Sequence, residues 1–404
     1  MNSSTSNSNV ENQNQTTIFL KIVVALSLGM LTSLFLVRAF TFVNDARASN
    51  FLGRVLEARD AIPIIAQENE DVVMVFGSSM VEAGFSSRQF DRELAEQNVN
   101  IKSFNFGFGG LNPYFQDILS RRIKEGFLQQ DKKLKLAILE FNPFQTTQTR
   151  YQGAVSLKDS FESYLLSSDE LWELTKQDPK RGIRLYNIRY LRDGVSAEMI
   201  TSFFGRGFQP PPKRTDIPVD EEANKLRREL SDELVKRFEQ DYPDYQDSNW
   251  SYQWQGAGTI PEERSKETLT IFEQYYAAGR NQHRMDNDKL NRIDTADIIE
   301  LRFEPELVEA YIRIVENFKA FSEHVDIILL PRNTEWINYS PEGKKRLLAT
   351  MAYIEKRTGI KVKNYQDLDV ITPDMFSDTT HLARYSGDVA FTRFLVNEYK
   401  GFLQ

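Results

Sequence analysis

The chain is 404 residues long, 41% apolar and 27% charged, which is enough material for a large core in one big domain or in two to three ordinary ones. Its net charge of −8, with no dense basic tract, argues against nucleic acid as the main partner. It contains no cysteine, which excludes disulfides and thiolate metal sites and leaves the redox compartment undecided.

Residues 1–16 are mostly Asn, Ser, Thr and Gln, and such a polar tail buries too little surface to order. Residues 17–40 are read as a transmembrane anchor. An uncharged, mostly apolar run between Lys21 and Arg38 is long enough to cross a bilayer when the end charges snorkel. A buried soluble helix and a cleaved signal peptide are the alternatives. The small-x-small triplet Ala46-Arg47-Ala48 lies far beyond the apolar run, which favours an uncleaved anchor. Arg38, Arg47 and Arg54 come after the span while Lys21 alone precedes it, so the positive-inside rule would put the large domain in the cytosol. Long translocated domains obey that rule poorly. Residues 41–70 link the anchor to the main domain, with an amphipathic helix over 51–69.

The main α/β domain is expected over 71–404, interrupted by an insertion. Its first stretch, VVMVFGSSMVEAG at 72–84, predicts a buried strand, a tight turn and a helix that continues to about Leu94. A serine in such a turn sits at the carboxyl end of a strand and at a helix start. Ser78 and Ser79 either cap the helix or supply a nucleophile whose attacked carbonyl oxygen faces unpaired N–H groups. A second strand over 101–106 runs into NFGFGGLNP, where the dinucleotide fingerprint fails because Asn112 stands where a small residue is required. The glycines then form a simple turn or aim an N–H at a bound oxyanion. Asn112 is a candidate substrate contact. A third strand over 134–141 ends at Asn142-Pro143, where Asn142 is a turn former or an amide donor to developing negative charge.

Residues 151–302 are charged and aromatic and are read as a cap insertion over the carboxyl edge of the sheet. They include a helix over 220–240 with Leu226, Leu230, Leu234 and Phe238 at spacing four, preceded by three prolines at 210–212. WSYQW at 250–254 puts Trp250, Tyr252 and Trp254 on one side of an extended segment, where they pack in a core or stack on sugar rings. The chain then predicts a helix over 307–321, a strand over 325–330 ending at Pro331-Arg332, a helix over 341–358 capped by Ser340 and a weaker strand over 360–365. Strands alternating with helices predict a mainly parallel sheet covered on both faces, a three-layer α/β/α sandwich. Ligands of such sheets bind at the strands' carboxyl ends, where Ser79, Gly110, Asn142 and the substrate-binding candidate Arg332 would gather.

In FSDTTHLARYSG at 376–387, Asp378 and His381 are three apart, so a helical turn would let the carboxylate orient the imidazole. The other reading is a surface pair. Only two further histidines exist. His283 lies in the polar insertion, and His324 is expected at the end of a helix, where a cation is favourable. A metal role would need ligands that the sequence does not offer clearly, and no cofactor is expected.

In combination, Gly77-Ser78-Ser79, the glycine block NFGFGG, Asn142 and the C-terminal Asp378-x-x-His381 resemble the SGNH or GDSL hydrolase superfamily. The resemblance covers roughly 72–144 and 325–403 and implies a flavodoxin-like sheet. It implies a Ser79 nucleophile, a His381 base held by Asp378, and an oxyanion hole from Ser79, Gly110 (or Gly109 by register) and Asn142. Where that family has GDS this chain has GSS, and where it has GxND this chain has Glu140-Phe141-Asn142-Pro143. The layout of anchor, GSS block, long insertion and terminal DxxH is also similar to the family of D-alanyl-lipoteichoic acid biosynthesis proteins typified by DltD. The resemblance implies a membrane-anchored serine O-acyltransferase or esterase whose domain faces outside the cytosol or into the periplasm. Its partners would be an acyl donor, a polysaccharide or lipid-linked sugar acceptor, and a membrane-bound O-acyltransferase. A catalytically silent carbohydrate-binding or scaffold protein with the same fold is the alternative.

Overall fold

The computed structural model describes residues 7–43, 49–192, 197, 221–243, 254–256, 258–280 and 297–404. Trp250, Tyr252 and His283 lie outside them. The chain divides into two compact units, one of Met1–Leu52 with Ser156–Phe208 and one of Gly53–Val155 with Gln209–Gln404. The 151–302 stretch is therefore shared between the two.

The first unit holds α1 (Asn7–Val43). Within it, Thr17–Ala39 is apolar and long enough to cross a membrane, and its side chains are almost entirely exposed. The next helix, α2 (Ser49–Ile65), belongs to the second unit from Gly53 onward.

The second unit is built on a sheet of five parallel strands: β1 (Asp71–Ser78), β2 (Ile101–Phe108), β3 (Leu134–Glu140), β4 (Ser322–Leu329) and β5 (Val362–Asn364). Their spatial order is β2-β1-β3-β4-β5. The order reverses direction at β1, and in sheets of this kind the crevice beyond the carboxyl ends at such a reversal is where ligands bind. β1 is buried from Val72 to Ser78, with β2 paired along one edge and β3 along the other. Phe76 lies in register with Phe106 and with Leu139, so the last residues of β1, β2 and β3 reach one level together.

The other helices are α3 (Ser79–Gly84), α4 (Ser87–Ala95), α5 (Pro113–Gln129), α6 (Gln148–Leu165), α7 (Ser168–Gln177), α8 (Pro179–Tyr190), α9 (Glu221–Asp241), α10 (Lys266–Arg280), α11 (Pro305–Lys319), α12 (Pro341–Thr358) and α13 (Gly387–Leu403), of which α7, α8 and α6 from Ser156 belong to the first unit. α5 packs on α11, and α4 packs on α13. Local chemistry sets the ends. Ser340 caps α12 by accepting from the Gly343 N–H at 2.9 Å, Pro341 opens the helix, and Gly359 closes it at φ 75°.

Four expectations change. Residues 7–16, expected to be part of an unordered polar tail, are helical, because α1 extends back from the apolar run to Asn7. The single helix after the serine turn is two, because Phe85 adopts an extended conformation, packs against Phe90 at 5.4 Å and leaves Ser86 to cap α4. β2 runs two residues beyond Phe106, since Gly107 pairs with Gly77 inside the ladder. His324 is not at a helix end. It lies in β4 beside Leu136, with Nε2 3.2 Å from Asp326 Oδ1, because the strand begins at Ser322, ahead of the apolar run that marks it.

Candidate active site

The turn after β1 gives its two serines different tasks. Ser78 is the N-cap of α3, its hydroxyl accepting from the Met80 N–H at 3.2 Å. Ser79 is therefore free of capping, and its Oγ lies 2.8 Å from His381 Nε2 although 302 residues separate the two. The other ring nitrogen, Nδ1, lies 2.8 Å from Asp378 Oδ2 and 3.0 Å from Oδ1. A carboxylate can only accept, so Nδ1 carries the proton and Nε2 presents a lone pair to the Ser79 hydroxyl.

Asp378 and His381 meet in a loop and not in the helical turn expected from their spacing. Asp378 Oδ1 accepts from the backbone N–H groups of Thr380 at 2.8 Å and His381 at 2.9 Å, a local turn in which the side chain replaces a helical carbonyl. Ser377 N–H closes the loop onto the His381 carbonyl at 2.8 Å, and a bridge joins Phe376 to Leu382. Buried Asn333 donates to the Asp378 carbonyl at 3.4 Å. The carboxylate is thus oriented by backbone before it orients the imidazole.

Beneath the turn lies a buried group that sequence reasoning passed over. Glu140, the last residue of β3, accepts from the Ser78 N–H at 2.5 Å and from the Ser78 hydroxyl at 3.1 Å. Asn142 Nδ2 donates to that hydroxyl at 2.7 Å. The Ser78 oxygen therefore receives two N–H groups, from Met80 and Asn142, and gives its own hydrogen to the carboxylate, a closed account for a hydroxyl. Protonation at Glu140 Oε1 would press a third donor on an oxygen with two lone pairs, and protonation at Oε2 would weaken its hold on the Ser78 N–H. The network is complete only when Glu140 is ionised. Burial pushes its carboxyl up to about 7, against the opposing pull of the Ser78 and Asn142 hydrogen bonds and of nearby His381. Gly77 is what admits the carboxylate, since a Cβ there would stand 2.3 Å from Glu140 Oε2. The available signal was a glutamate closing the apolar run Leu136–Leu139.

Asn142 has other duties too, its Oδ1 accepting from Phe144 N–H at 2.8 Å and Gln145 N–H at 3.2 Å. The nearest described polar partner of its amide is Ser78, next to the candidate nucleophile. Gly110 adopts φ 73°, while Gly109 is the glycine beside Ser79, with a Cβ built on it 4.0 Å from the Ser79 Cβ.

The remaining candidates are occupied elsewhere. Asn112 is buried and caps α5, accepting from Tyr114 N–H at 3.1 Å and donating to the Arg150 carbonyl at 3.4 Å, so a substrate contact is replaced by a cap. Arg332 pairs with Asp367 at 2.8 Å, bonds the Ile337 carbonyl and lies 5.2 Å over the Tyr339 ring, which holds a loop together. Trp254 is fully buried, 4.7 Å from the Phe106 ring and under the Arg54 guanidinium at 4.5 Å, so it is core and not a sugar platform. Trp250 lies outside the described residues. Beside Asp378 opens a cleft of about 470 Å³ whose lining includes Arg280, Asn333, Glu335 and Trp336. Among the described residues no set of three or more His, Asp or Glu side chains converges as a metal site. The chain matches no protein-family profile and no curated protein at a significant level.

Proposed function

We propose that the chain is a membrane-anchored serine O-acyltransferase or esterase of the SGNH/GDSL kind, acting on acyl groups of an envelope or exported polysaccharide through a Ser79 acyl-enzyme. The observation that carries this reading is the continuous contact from Ser79 Oγ to His381 Nε2 at 2.8 Å and from His381 Nδ1 to Asp378 Oδ2 at 2.8 Å. Three groups from opposite ends of the chain meet in the geometry that a nucleophile, base and orienting acid require. The reading includes a three-layer arrangement of helices about the sheet, and a cap formed by the chain between β3 and β4.

In the first half-reaction Ser79 Oγ attacks the ester carbonyl while its proton passes to His381 Nε2. Asp378 stabilises the imidazolium without taking the proton. The oxyanion accepts from the Ser79 N–H, from an N–H of the Gly109-Gly110 turn and from the Asn142 amide, each such donor being worth about 3 to 4 kcal/mol. Collapse expels the alcohol, which leaves with the proton from His381. An incoming sugar hydroxyl or water then gives its proton to His381, attacks the acyl-enzyme and releases Ser79. Trp336 and the polar side chains of the cleft beside Asp378 suit a sugar ring, an aromatic face with hydrogen-bonding groups around it. The membrane anchor suits a polymeric or lipid-linked acceptor outside the cytosol, with the acyl group supplied by a membrane-bound O-acyltransferase.

A catalytically silent carbohydrate-binding or scaffold protein is the second reading. It is favoured by the Asn142 amide, which is engaged by Ser78 at 2.7 Å. Mass spectrometry of the polysaccharide from cells carrying the wild-type chain or Ser79→Ala separates the two. The enzyme reading expects O-acyl groups to be lost or to accumulate in the variant. An unchanged acyl content with unchanged polysaccharide binding overturns it.

A further inference from the structure

We infer that the outer face of α8 is seated in the headgroup and upper acyl layer of the same bilayer that α1 spans. The inference rests on the membrane-anchor reading of α1 and concerns the first unit alone.

α8 is held from one side. Leu185 and Ile188 bury against Leu171 of α7. Gly182 meets Thr175 so closely that a Cβ would stand 2.6 Å from the Thr175 Cα. Arg184 pairs with Asp159 at 2.9 Å, and Arg189 donates to the Leu166 carbonyl at 2.6 Å. The opposite side carries large apolar and aromatic groups. Ile183 is 66% exposed and Tyr190 57%, and the Tyr186 and Tyr190 rings stack at 6.0 Å. Seven residues apart, Ile183 and Tyr190 share the outer face, with Lys180 one turn before Ile183, while half-buried Tyr186 packs against the Leu171, Leu185 and Ile188 cluster at the edge of that face.

Two observations say what covers this face. From Pro179 to Arg192 the chain has five basic residues and no carboxylate; Arg181 and Arg184 pair with Glu162 and Asp159, and Lys180 and Arg192 stand near the two ends of the exposed face. Cations beside an apolar and aromatic face are the composition of a helix lying in a membrane interface, where tyrosine rings sit at headgroup depth and Lys or Arg stems snorkel to phosphate. The second observation is positional. Arg38, at the end of the apolar run Thr17–Ala39, donates its guanidinium to the Tyr190 carbonyl at 3.4 Å. The end of α8 is thereby tied to the level at which the span leaves the hydrocarbon. A water-facing helix would gain nothing from such a face, whereas lipid at that level buries it.

The chain has no native cysteine, so a nitroxide can be placed at one position at a time. The full-length protein is reconstituted in vesicles containing anionic phospholipid, with single labels at Ile183→Cys, Tyr190→Cys, mid-span Leu28→Cys and exposed Lys345→Cys. Collision with oxygen, which partitions into lipid, is compared with collision with a water-soluble nickel chelate. The inference expects oxygen-to-nickel ratios at Ile183 and Tyr190 several-fold above that at Lys345 and below that at Leu28. Ratios at Ile183 and Tyr190 equal to that at Lys345, with Leu28 still in lipid, overturn the seating of α8 and leave the anchor standing; this is also the result if the face instead meets a membrane-protein partner. A water-exposed Leu28 overturns both.

Discussion

Replacing Glu140 by glutamine asks whether a carboxylate below the serine turn sets the position of the nucleophile. Glu140 accepts both the N–H and the hydroxyl of Ser78, at 2.5 Å and 3.1 Å. Glutamine offers one oxygen and an amino group, so one of the two donors meets another donor. Losing a charge-assisted bond to a buried group costs about 1.5 to 3 kcal/mol. If that is felt in the placement of Ser79, the adjoining residue, reaction slows by about ten- to a hundredfold. The assay is the rate of Ser79 modification by a fluorophosphonate from about pH 5 to about pH 9, a range that spans the value of about 7 to which burial pushes the Glu140 carboxyl. The wild-type rate should rise as Glu140 ionises through about pH 7, and Glu140→Gln should lose that part of the rise. Stability moves the other way. With its carboxyl pushed up to about 7 by burial, Glu140 holds a proton in the native state that the unfolded chain releases near its ordinary value. Its contribution is complete below about pH 4 and is lost as pH rises through about 7, by roughly 3 kcal/mol, and glutamine should remove that dependence. A variant that reacts at the wild-type rate with the wild-type slope would refute the positioning role.

Asp378→Asn should cut the modification rate by on the order of a thousandfold or more, because an amide hydrogen facing Nδ1 drives the His381 proton to Nε2 and removes the lone pair offered to Ser79; an unchanged rate would argue against the orienting role. Gly107→Ala would place a Cβ 2.1 Å from the Glu82 backbone nitrogen, so α3 must shift. Urea titration should show a loss of about 1 to 3 kcal/mol, with slower Ser79 modification. Trp254→Ala removes a fully buried ring and should cost about 3 to 5 kcal/mol in the same titration while leaving polysaccharide affinity of the folded protein unchanged.

β1, β3 and β4 were legible because each centres on a short apolar run closed by a glycine or, within a few residues, a proline, and they fall within a few residues of where hydropathy puts them. Ser79 and the Asp378-His381 pair were legible as local patterns, a serine after a buried strand and an acid three residues before a histidine. Their meeting depends on the whole sheet and could not be read from either pattern. Glu140 was missed because a charged residue ending an apolar strand reads as a surface terminus. Its burial depends on a missing side chain at Gly77, in the neighbouring strand. Asn112, Arg332 and Trp254 were misdirected for the opposite reason. Each stands near a strand end or in an aromatic cluster, as a ligand contact would, but each meets backbone, an ion-pair partner or the core first. Local spacing also mistook a loop for a helical turn at Asp378, where backbone N–H groups on one carboxylate oxygen produce the same proximity.

The central claim is that His381 activates the Ser79 hydroxyl for attack on an acyl or phosphoryl centre. Mass spectrometry of the intact protein after fluorophosphonate treatment, combined with peptide mapping, tests it most directly. One adduct is expected, on Ser79, absent from Ser79→Ala and strongly slowed in His381→Ala. A wild-type protein that takes no adduct, or an adduct that survives in Ser79→Ala, would contradict it.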